Sequence, residues 1–122
     1  MTEFVRIAWV LWLIGSPVVI IPASVSAYSN DDCGKLPDHP EYGITRFGTV
    51  AGDSTVACPF DWAGTWVVIP GVGVRRCEDT GGAIELGWNG LPCIDVWMKR
   101  RADALRWGRR SVGVLIIPEG VR

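Results

Sequence analysis

From Gly43 onward the sequence is a series of short β-prone runs cut by turn residues. Thr49–Val50, Ser54 to Cys58, Trp66 to Ile69 and Val72 to Cys77 are the expected early strands, with Pro70-Gly71 as a turn. Cys93 to Met98 and Ser111 to Ile117 are the expected later ones. Between those two, Arg101 to Trp107 is the one expected helix. Ala102, Leu105 and Arg109 fall along one stripe, and Gly108 ends it. Several short strands with one helix point to a small closed or nearly closed barrel. The 122 residues suffice for one compact domain, and no internal repeat or interdomain linker interrupts them.

Within this series, the stretch from Arg75 to Val96 carries the chemistry. Asp79 and Asp95 sit at the ends of short apolar segments, with a glycine-rich loop between them. Two strands joined by such a loop can bring two acids together beside an open groove. Gly81 and Gly82 are expected to adopt angles, or to allow a closeness of approach, that a side chain would forbid. Asp95 lies inside an apolar run, Cys93-Ile94 before it and Val96-Trp97 after it. A carboxylate there is costly to bury unless it is paired, hydrogen-bonded or used. Burial would raise its pKa, as a general acid at neutral pH requires. The alternative role is structural, a hydrogen-bonding aspartate that fixes the barrel.

The N-terminus has the pattern of an export signal: Arg6, an apolar run from Ile7 to Ile21, then the small residues Ala23-Ser24-Val25-Ser26-Ala27. Cleavage is expected after Ala27. An uncleaved anchor that associates with a membrane is the alternative, although the run is short for a span and Pro17 interrupts it. The expected division is 1–27 signal or anchor, 28–42 loop or arm, and 43–122 barrel. All four cysteines lie beyond the leader, and an even count in a small exported domain suggests two disulfides. Of the three possible pairings, Cys58 with Cys77 and Cys33 with Cys93 are expected. No Cys-x-x-Cys pair exists and His39 is isolated in sequence, so no metal and no cofactor are expected. The net charge of −1 argues against a nucleic-acid partner.

The ordered motifs along the chain resemble a known family. Gly43-Ile44-Thr45 with Gly48, Thr55-Val56-Ala57, Gly64-Thr65, Val67 to Gly73, Glu78 to Ile84 and Ile94-Asp95 through Gly108 are similar to the three-aspartate (3D) domain of bacterial cell-wall proteins. That domain is a relative of the catalytic barrel of membrane-bound lytic transglycosylase A. The resemblance implies a six-stranded double-psi β-barrel acting on peptidoglycan glycan strands outside the cytoplasm. It implies that Asp95 is the acid/base that cleaves between N-acetylmuramic acid and N-acetylglucosamine to leave a 1,6-anhydro product.

Asp79 has two open roles: to shape the Asp-Thr-Gly-Gly loop by accepting backbone N–H groups, or to tune Asp95 and position the sugar. Thr80, Gly81 and Gly82 are the expected substrate-binding loop, and Trp88, in a Gly/Asn loop beside it, is the expected sugar-stacking residue. The family's first aspartate has no direct counterpart, because Pro59-Phe60 follow Ala57-Cys58. Asp61 is the nearest acid, and either it is a displaced equivalent or the position is lost. A non-catalytic wall-binding or structural envelope module is the rival reading.

Overall fold

The computed structural model describes residues 9–13 and 16–117. The strands are β1 (Trp9–Leu13), β2 (Ser16–Tyr28), β3 (Thr55–Ala57), β4 (Trp66–Ile69), β5 (Gly73–Asp79), β6 (Cys93–Trp97) and β7 (Arg110–Ile117), with helices α1 (Gly82–Leu86) and α2 (Arg101–Trp107). They form a sheet in the order β2-β6-β3-β5-β4-β7, and β7 returns to β2, so six strands close a barrel. β1 adds to β2 as an antiparallel hairpin outside the closure. β2–β6 and β3–β5 are parallel, and the other pairings are antiparallel, which makes the barrel mixed.

Alternation along the strands fills the interior. Val25 on β2, Val56 on β3, Val67 and Ile69 on β4, Ile94 and Val96 on β6, and Val114 on β7 are fully or almost fully buried in one cluster. Side chains close a barrel of this size completely, without leaving a channel. Cys58 and Cys77 belong to the same cluster and form a disulfide with an S–S length of 2.10 Å, as the sequence leads one to expect.

Several features differ from the sequence expectations. Ser16–Tyr28, which overlaps the segment expected to direct export, forms the longest strand among the described residues and contacts both β6 and β7. Ala23, Ser24 and Val25 have no exposed surface. The barrel therefore draws on residues well before Gly43, and cleavage after Ala27 would open it. The positive residue of the leader, Arg6, lies outside the described residues. Thr49–Val50 is not a strand, since Val50 makes only an isolated bridge to Ile44. A second helix, α1, follows the glycine loop. On α2 the buried residue is Ala104, whereas Leu105 is exposed. The helix docks through Trp107, whose indole N–H donates to the Val25 carbonyl at 3.1 Å.

The second expected disulfide is not formed: Cys93 is a buried free thiol. Cys93 pairs with Ser24, while the 3₁₀ turn Asn30–Cys33 follows Tyr28, which pairs with Trp97 at the other end of β6. The Cys33 side chain lies outside the described residues. The arm is held by other contacts instead. Trp97 Nε1 donates to Asn30 Oδ1 at 2.8 Å, and Arg101 pairs with Asp32 at 2.6 Å.

Candidate functional site

Ala57 is the pivot of the site. It is paired with Asp79 on β5 on one side and with Asp95 on β6 on the other. Asp95 is paired in turn with Ser26 on β2. Residues opposite one another in a sheet project to the same face, so Ser26, Asp95, Ala57 and Asp79 form a row across four strands. Adjacent strands lie about 4.8 Å apart, which puts the two aspartate backbones about 10 Å from each other. The small Ala57 side chain between them leaves room for a ligand.

This row floors an open groove of about 760 Å³, whose walls are the arm, the loop from Ile44 to Gly48, and the segment Thr80 to Ile84. Asp95, Asp79, Thr80, Gly81 and Gly82 all line it, so the structure brings together the acids and the glycine loop expected from the sequence. The glycines act differently from expectation. Gly81 is extended (φ −177°) and begins α1, and added Cβ atoms at Gly81 or Gly82 would meet no protein atom within 4 Å. A side chain there would narrow the groove rather than clash with the barrel.

The two carboxylates are held unequally. Asp79 accepts three hydrogen bonds: from the Tyr28 hydroxyl at 2.9 Å, from the Arg46 backbone N–H at 2.8 Å, and from the Thr80 N–H at 3.0 Å. The Arg46 bond ties the Ile44–Gly48 loop down over β5. Asp95 accepts from the Ser26 hydroxyl, to Oδ1 at 3.1 Å. Burial pushes the Asp95 carboxyl up from 3.8 to about 6, against the lowering effects of Ser26 and Arg109. The negative charges of Asp32 and Asp79 add a smaller upward push. Burial, then the adjacent Asp79 carboxylate, pushes the Tyr28 phenol well above its ordinary value, so it remains a hydrogen-bond donor.

Two expected residues lie elsewhere. Asp61 is exposed on the 3₁₀ turn Phe60–Trp62 and does not line the groove. Trp88 is also outside the lining, and its ring lies under the Arg109 guanidinium, 4.4 Å from carbon to centroid. The third aspartate at the groove is Asp32, from the arm, and it is already engaged by the Ser29 N–H at 2.8 Å and by Arg101. Ser26 and Tyr28 are site residues that the sequence reading missed. Their signal was present as the polar alternation Ser24, Ser26, Tyr28 against Ala23, Val25, Ala27, the period of a half-buried strand.

Compared with models of known protein families and with curated proteins, the chain matches none. Among the described residues no cluster of three or more His, Cys, Asp or Glu side chains could hold a metal ion. No described helix is long and apolar enough to cross a membrane.

Proposed function

We propose that this protein is an extracytoplasmic peptidoglycan-acting lytic transglycosylase of the three-aspartate, double-psi barrel type, with Asp95 as its acid/base. The observation that carries the reading is Asp95 itself: a carboxyl lifted to about 6 by burial, opening onto a groove with room for sugar rings. Such a group holds enough proton near neutrality to act as an acid and gives a competent base when ionised. The reaction needs one group for both roles. The Asp95 carboxyl donates its proton to the glycosidic oxygen between N-acetylmuramic acid and N-acetylglucosamine, and the C1–O bond breaks. The C6 hydroxyl oxygen then bonds to C1, and its proton passes to the Asp95 carboxylate, which restores the acid. The interior Cys58–Cys77 disulfide supports an oxidising, extracytoplasmic location.

The position of Asp61 favours a second reading, a wall-binding module without turnover, because this exposed acid is remote from the groove lining. One experiment separates the two. Purified peptidoglycan is incubated with the protein and with Asp95→Asn, and the products are read by mass spectrometry beside a sedimentation assay for wall binding. The transglycosylase reading expects 1,6-anhydro products from the wild type and not from Asp95→Asn. Binding without products from either protein leaves the module reading.

A further inference from the structure

We propose that β2 supplies the positioning residues of the groove, Ser26 orienting the Asp95 carboxyl through Oδ1 and Tyr28 holding the Asp79 carboxylate through Oδ2. The two hydroxyls are two residues apart on one strand and therefore project to the same face. Each reaches a different acid: Ser26 its direct partner on β6 at 3.1 Å, Tyr28 the more distant β5 acid at 2.9 Å. Ser26 donates to Oδ1 of Asp95, a part-buried bond between side chains paired across β2 and β6, and so fixes how that carboxyl oxygen is engaged. Tyr28 contributes the side-chain donor to Asp79, beside two backbone N–H groups. One strand thus sets the orientation of both acids at once.

Other charges face Asp95 from every side, and none of them takes this role. Asp32 approaches from the arm and Asp79 from β5, both acting through charge alone. Arg109, ahead of β7, lowers the Asp95 carboxyl from a distance while its Nη1 donates to Ser24 Oγ at 2.9 Å. Lys35, Glu41 and Arg46 also line the groove, and the Arg46 backbone N–H donates to Asp79.

The role rests on the proposed function only for its consequence in turnover, and the test reads the acids directly. The side-chain carboxyl carbons of Asp79 and Asp95 are observed by NMR in the folded full-length protein, and that of Asp95 is titrated in wild type and in the isosteric pair Ser26→Thr and Ser26→Val. A hydrogen bond to a charged acceptor is worth enough to move a carboxyl by about one to two pH units. Ser26→Val is expected to raise the Asp95 midpoint by that amount, and Ser26→Thr to keep it near wild type. Tyr28→Phe is expected to displace the Asp79 carboxyl carbon resonance at neutral pH and to leave the Asp95 midpoint in place. Should Ser26→Val fail to fold, Ser26→Ala carries the same comparison. Equal Asp95 midpoints in the Thr and hydroxyl-free variants, or an Asp79 carboxyl resonance untouched by Tyr28→Phe, would overturn the assignment. Shifts as expected in a protein that releases no sugar product would uphold β2 as the positioning strand and count against the transglycosylase reading alone.

Discussion

The spacing Cys-x-Asp occurs twice, as Cys77-Glu78-Asp79 at the end of β5 and Cys93-Ile94-Asp95 at the start of β6, on the two strands that flank β3. On β6 the pleat is regular. Ile94 and Val96 point into the core, while Cys93 packs on the outside with Ala57, and Asp95 lies on that same face. On β5 the register slips by one residue, so that Val56 faces Cys77 but Ala57 faces Asp79. A β-bulge of this kind turns the chain over between two residues that would otherwise share a face. Cys77 therefore points inward to its disulfide and Asp79 outward to the groove. The consequences diverge. β5 is clamped by a covalent bond inside and by three donors outside, whereas β6 has a free thiol and the Ser26 hydroxyl as donor. The same three-letter pattern produces one acid anchored by three donors and another that meets the Ser26 hydroxyl.

Exchange of the two acids is the strongest way to break this contrast. Asp95→Asn is expected to fold and to lose product release by about 10²–10⁴-fold, the usual worth of general acid/base help. Asp79→Ala is expected to lose stability first, at about 1–3 kcal/mol for each donor left unsatisfied, read as the midpoint of urea unfolding. An Asp79→Ala protein as stable as wild type beside an unfolded Asp95→Asn protein would reverse the roles. The cysteines sharpen the same contrast. Loss of the Cys58–Cys77 bridge, which spans 19 residues, is expected to cost about 3 kcal/mol, while Cys93→Ala costs about 1 kcal/mol. Non-reducing peptide mapping should recover Cys58 joined to Cys77, with Cys93 alkylated only after denaturation.

A smaller effect follows from pH. The Asp95 carboxyl lies above its unfolded value, so between 3.8 and about 6 the folded protein binds the proton more tightly than the unfolded chain does. Its contribution to stability is therefore full below that window and is lost as pH rises through it. Asp95→Asn has no such loss. The melting temperature of the variant relative to wild type is thus expected to climb by a few degrees from pH about 4 to about 7. A flat difference would mean that Asp95 sits in an ordinary solvated environment. The smallest expected change is at Trp88. Its ring stacks on Arg109 outside the groove, so Trp88→Ala should cost about 0.5–1 kcal/mol and leave sugar affinity, measured by calorimetry, unchanged.

Much of the barrel was legible because its strands are short, apolar and bounded by turn residues. β4 was legible end to end, and α2 came out with both its boundaries, since Gly108 marks the stop. β2 was not, for a definite reason. Ala23-Ser24-Val25-Ser26-Ala27 is a run of small residues, as an export signal ends, and it is also an apolar–polar alternation, as a half-buried strand reads. Nothing local separates the two readings; the partners that do, β6 and β7, lie far along the chain. The acids were legible as residue types, but the unequal way they are held was not, because it depends on donors from β2 and from the Ile44–Gly48 loop. Asp32 was hidden for the same reason, and so was the register slip at Glu78, which exists only against β3.

The closing role of β2 has a consequence for the order of events in synthesis. Its side chains and carbonyls wait for partners that leave the ribosome much later: Asp95 is 69 residues on from Ser26, Trp107 is 82 from Val25, and Arg109 is 85 from Ser24. At translation speeds of about 5–20 residues per second, this strand is without β6 and β7 for several seconds. Contacts so remote in sequence also make closure slow once it begins. Ser26 and Tyr28 therefore meet Asp95 and Asp79 only after 69 and 51 further residues have been made.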